Sequence, residues 1–151
     1  MSLFMSSTQI SPEATIGEIQ KILSKHGVTA MMTEYEGPQV SSVSFTLLLE
    51  GKKMSFRMPC NWRAVEQIFK TDDRSRVNVR LKKNETIADQ AIRTAWRIIL
   101  RWVEAQMALV EVNMTSVPQI FLPYTIMRDG RTLADTVSQE PTFLLDNIKS
   151  T

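Results

Sequence analysis

One cysteine, one histidine and five glycines are all that this chain of 151 residues holds of three residue types on which much site chemistry depends. Cys60 has no partner for an internal disulfide, which suits a reducing cytoplasm. Serine- and cysteine-based triads would both have to use His26, and no nucleophile motif accompanies it. At the expected end of a helix, His26 is read as a structural residue. CxxC, HxxxH and HExxH spacings are absent, and one Cys with one His cannot build a zinc site. Asp72-Asp73 is an acidic pair, but Arg74 and Arg76 beside it point to local ion pairs rather than a magnesium site. The glycines at 17, 27, 37, 51 and 130 are scattered, so no GxxxxGK or GxGxxG cradle exists for a phosphate. Cys60, beside a strand end and a helix start, could be activated as a thiolate; the favoured reading is a buried or incidental thiol. No apolar run approaches the roughly 18–20 residues of a membrane span. The opening MSLFMSSTQISPE lacks the basic and apolar regions of a secretory signal. The expectation is a cytoplasmic protein with no catalytic residue, metal, cofactor, small-molecule substrate or membrane to assign.

What is present describes a folded α+β chain. Hydrophobic residues make up 43% and charged residues 23%, enough apolar material for a core. Ser11-Pro12-Glu13 starts a helix, with Ile16, Ile19, Ile22 and Leu23 at helical spacing and Gly27 as its stop. VTAMMTEYEGPQ reads as a strand ending in the Gly37-Pro38 turn. VSSVSFTLLLE alternates Val43, Phe45, Leu47 and Leu49 against smaller polar residues, with Leu48 as the exception. After Glu50-Gly51-Lys52, KMSFRMP turns Met54, Phe56 and Met58 inward. Short links make an antiparallel meander the economical topology. Asn61 caps a second helix from Trp62 to about Lys70, and a long helix runs from Asn84 or Thr86 to about Asn113. Val117-Pro118 is read as its stop, QIFLPYTIM as irregular, and RTLADTV as a short helix. The expected organisation is a flexible leader over 1–10, a single domain over 11–137 and a tail over 138–151.

Charge is uneven. Residues 63–103 carry ten basic and five acidic side chains, whereas residues 104–151 carry three basic and six acidic ones. Five cations crowd the segment before the long helix: Arg74, Arg76, Arg80, Lys82 and Lys83. Such a cluster can track a phosphate backbone, of DNA or RNA, although no aromatic residue interleaves it for base stacking. Arg93, Arg97 and Arg101 recur every fourth residue and line one helical stripe. They are candidate helpers for phosphate contact. The competing reading pairs Asp89 with Arg93, and Glu104 with Arg97 and Arg101. Trp102 lies off the main apolar face, and with Phe121, Tyr124, Phe143 and Leu144 it is a candidate partner interface for a homodimer.

The segments SFRMPCNWRAVEQIF, AIRTAWRIILRWVEAQMALVE, IFLPY and DGRTL resemble a family of small phage, prophage and mobile-element proteins, over about residues 54–134. That resemblance implies a bacterial or phage cytoplasmic setting and assigns no activity. The α-β-β-β-α order is also that of double-stranded RNA-binding domains, but their last helix begins with a basic cluster. NWRAVEQ has a single arginine, so that comparison is dropped. Two functions lead, a nucleic-acid-binding accessory protein using the basic loop or a protein–protein module dimerising through the long helix and tail; a divergent enzyme using Asp72, Asp73 or Glu66 is the third and least favoured.

Overall fold

The computed structural model describes residues 2–72 and 81–141. The elements are α1 (Pro12–Ser24), β1 (Val28–Glu36), β2 (Gln39–Leu49), β3 (Lys52–Arg57), α2 (Trp62–Thr71), α3 (Ile87–Glu111), α4 (Val117–Phe121), a 3-10 turn (Leu122–Tyr124) and α5 (Leu133–Gln139). The chain is therefore α+β, with an N-terminal helix, a three-stranded antiparallel meander in the order β1-β2-β3, and later helices including a long one. The chain divides into two compact units. One takes residues 1–25 and 59–108; the other takes 26–58 and 109–151.

The first unit is helical. Ser11 Oγ accepts from the Ala14 amide and Asn61 Oδ1 from the Ala64 amide, so both shorter helices start on side-chain caps. At the start of α3, Thr86 Oγ1 accepts from the Asp89 amide while Asp89 Oδ2 accepts from the Thr86 amide. This reciprocal pair satisfies two amides that the helix itself leaves open. Val65, Phe69, Ala91 and Ala95 form a core cluster joined by Leu3, Cys60, Trp62 and Ile87. Residues 5, 6 and 8 are hydrogen-bonded to α3. Ser6 is buried, and the carbonyls of Ser6 and Thr8 accept from the Gln90 side chain at 2.9 and 2.8 Å. The Met5 carbonyl accepts from Thr94. The physical reason is that α3 offers polar donors to backbone acceptors that would otherwise be buried unpaired.

The second unit is built on the meander. Met31 faces Phe45 and Thr33 faces Val43 across β1 and β2; Phe45 faces Phe56 across β2 and β3. These pairs define the apolar face. Phe45 stacks on Phe56 at 5.3 Å and meets Phe121 edge-on at 4.8 Å, so α4 closes an aromatic trio. Leu49, expected on that face, is exposed. It lies at the hairpin tip, one residue before Glu50 and Gly51, both at positive φ. Val117-Pro118 begins a helix instead of ending one. Ser116 and Gln119 form a capping box, and a proline in the first turn loses no hydrogen bond. The chain then returns along β3: the Ile126 amide donates to the Ser55 carbonyl at 2.8 Å, and Thr125 bridges Phe56.

Candidate interaction surface

The basic cluster divides at the limit of the described residues. Arg74, Arg76 and Arg80 lie outside them; Lys82 and Lys83 lie inside and are exposed, next to an exposed Leu81. The Lys82 amide donates to the Glu85 carboxylate at 2.9 Å, which turns the chain into α3.

The arginine stripe is not a surface feature over most of its length. Every residue from Gln90 to Arg97 is buried, more than two full turns, so α3 is enclosed on all sides there. Arg93 forks onto Glu85 at 3.0 and 3.1 Å and also donates to Gln90. Arg97 pairs with Glu18 of α1 and reaches Thr15 Oγ1. Both guanidinium groups have partners within the chain, which sets Arg93 and Arg97 apart from an open phosphate-binding stripe. The acidic partners of Arg93 and Arg97 are not the expected ones, whereas Glu104 does pair with Arg101. Asp89 is taken by the Thr86 cap, and Glu104 pairs with Arg101 alone, at 2.9 Å. Arg101 is exposed. Among these arginines, only it remains at the surface.

The expected partner interface is also redistributed. Phe121 is fully buried in the aromatic trio and cannot meet a partner without unfolding its unit. Trp102 and Tyr124 are half-buried, and Phe143 and Leu144 lie outside the described residues. The expected interface residues were mostly aromatic; the exposed apolar residues are methionine and aliphatic for the most part. Of the twelve large hydrophobic residues exposed among the described residues, nine belong to the second unit: Met32, Tyr35, Leu48, Leu49, Leu109, Val112, Met114, Leu122 and Met127. One signal for them was present. VTAMMTEYE lacks strict apolar alternation, as expected of a strand with little burial on either face.

Cys60, His26 and Asp72 are held in structural roles. Burial pushes the Cys60 thiol up to about 12, opposite to the lowering that a helix start could have produced, so it is a neutral thiol near pH 7. His26 Nε2 lies 3.5 Å from Glu111, and Asp72 caps the end of α2. No cluster of three His, Cys, Asp or Glu side chains suited to a metal occurs among the described residues. No described helix is long and apolar enough to cross a membrane. A depression of about 460 Å³ lies along α1, lined by Ala14, Gly17, Glu18, Gln20, Lys21 and Ser24. Its walls come from a single helix, unlike a ligand site, which encloses its ligand on several sides.

No family model matches the chain, and no curated protein or solved structure matches it at a significant level.

Proposed function

We propose that this chain is a non-enzymatic binding protein whose second unit receives a protein partner. The observation that carries this reading is the concentration of exposed apolar side chains in that unit. Scattered surface leucines are ordinary, but an excess of exposed methionine and aliphatic residues in one unit is the composition of a docking surface. The partner is captured from cells of the source organism with the full chain as bait, after nuclease treatment. Val112→Asp and Met114→Asp alter two of the most exposed side chains, 60% and 74% accessible, without touching the core. A partner held by the parent protein and lost in the double variant supports the reading. A partner held equally by both overturns it for this part of the unit.

A second reading is nucleic-acid binding, favoured by exposed Lys82 and Lys83 continuing the run of Arg74, Arg76 and Arg80. Arg101 is the one residue of the helical stripe that could assist. Replacing the five loop cations by alanine should then abolish a gel shift seen at low salt and reduce its salt dependence. No shift at low salt excludes this reading. The resemblance to phage and prophage proteins would place either activity in a bacterial cytoplasm.

A further inference from the structure

The two edges of the β-sheet are treated differently. On the β3 side, residues 125 and 126 lie along the strand and bond to it. On the β1 side, β2 is the only strand neighbour among the described residues. β1 is nine residues long, roughly 30 Å. None of its residues is buried, and Met32 and Tyr35 are 56% and 59% accessible. Proline and lysine, the usual guards of a free edge, are absent from VTAMMTEYE. Its pairing with β2 is irregular at both ends, between Val28 and Ala30 and between Glu34 and Tyr35. Five regular residues remain, Ala30–Glu34, with Met32 at their centre.

We propose that β1 pairs with β1 of a second copy of this chain, antiparallel about a two-fold axis at Met32. Two three-stranded sheets then become one six-stranded sheet. The distribution of charge selects this arrangement. The strand's only charged residues, Glu34 and Glu36, sit at its C-terminal end, and Lys25 precedes its N-terminal end. Parallel pairing would set each glutamate beside its own copy, which is unfavourable. Antiparallel pairing about Met32 sets Glu34 opposite Ala30 and Glu36 opposite Val28. It also places the two irregular ends symmetrically outside the five paired residues. Ala30, Met32 and Glu34 share the face of Thr46, Ser44 and Ser42, so the contact adds a polar-faced strand pair without disturbing the aromatic core. A two-fold, self-complementary contact closes on itself and does not propagate into fibres. This interface differs from the surface tested for a protein partner above, and the two can fail separately.

Light scattering of the full chain from about 1 to 100 µM reads the outcome, a range that brackets ordinary weak dimers. The parent protein is expected to dimerise. M32K, which brings two ammonium groups together on the axis, should weaken the dimer by at least about tenfold. A30K should tighten it, because its side chain meets Glu34 of the other copy twice over. The expected gain is on the order of 2- to 30-fold. M32C should form a covalent dimer on mild oxidation, whereas the parent, with only Cys60, should not. Circular dichroism confirms that each variant is folded, and A30K tests the register by a gain, so a misfolded M32K would not decide the matter. A monomeric parent at 100 µM overturns the proposal. So does a dimer that survives M32K and is lost in the full-length F143S/L144S variant, which would place the interface on the tail. A dimer strengthened by F143S/L144S would instead show the tail occupying the β1 edge, and also overturns it.

Discussion

The two units of this chain deal with polarity in opposite ways. Among the described residues, six of the eight buried polar or charged ones lie in the first unit: Ser6, Thr15, Gln90, Arg93, Thr94 and Arg97. Nine of the twelve exposed large hydrophobic residues described lie in the second. A buried polar group without a partner costs about 1–3 kcal/mol, so the first unit must satisfy its polar groups internally. It largely does, through Glu85, Glu18 and the backbone carbonyls of residues 5, 6 and 8. Trp96 Nε1 and Arg97 Nε are buried without a partner among the described residues. An exposed apolar group carries no such obligation and remains available to another molecule. Among the described residues, buried polar groups thus gather in the first unit and exposed apolar ones in the second.

The largest expected effect tests the second unit's core. Phe121→Ala removes one ring of the Phe45–Phe56–Phe121 trio at a fully buried site. The expected loss is about 3–5 kcal/mol, read from chemical denaturation followed by circular dichroism. A loss below about 1 kcal/mol, with partner binding abolished, would return Phe121 to an interface role. In the first unit, the matching variant is Gln90→Ala. Gln90 has no exposed surface and links the carbonyls of Ser6 and Thr8 to Arg93. Its removal leaves buried acceptors and part of a guanidinium unpaired, for an expected loss of about 1–3 kcal/mol. Hydrogen exchange should rise first in residues 2–10. Uniform exchange across the unit would show that the leader is held by packing alone.

These contrasts explain what could be read from the sequence. The meander was legible because Val43, Phe45, Leu47, Met54 and Phe56 follow period two, and the caps at Ser11 and Asn61 marked helix starts. Arg93 and Arg97 were misplaced because i, i+4 spacing identifies a shared face but not its burial. Glu18, 79 positions from Arg97, gives no local signal. Glu85, eight residues before Arg93, lies outside the helix-neighbour spacings of three and four. Phe121 was placed in an irregular segment because Val117-Pro118 was read as a helix stop, whereas Pro118 sits in a first helical turn. That β2 is the only strand neighbour of β1 among the described residues depends on where other segments go, which a strand's own residues do not specify.

The smallest effects come from two carboxylates, one in each unit. The Lys82 amide, and then the Arg93 guanidinium, hold Glu85 below the usual carboxylate range. The Arg131 amide and guanidinium do the same for Asp129. With the folded-state pKa lowered, the folded chain binds fewer protons than the unfolded chain in the window between the two values. The stabilisation is therefore fully present above about pH 4–4.5, the ordinary carboxylate range, and is lost as pH falls through the lower, folded value. Melting temperature followed downward from pH 6 should fall less steeply in Glu85→Gln and in Asp129→Asn than in the parent. The two differ in where the change is felt. Glu85 shares Arg93 with Gln90, and Gln90 holds the leader, so acid should raise exchange in residues 2–10 of the parent and of Asp129→Asn. Glu85→Gln should raise that exchange already at neutral pH and respond less to acid. If acid loosens residues 2–10 equally in Glu85→Gln and in the parent, the polar network of the first unit does not act as a connected whole. The contrast between the units then reduces to the number of buried polar groups in each.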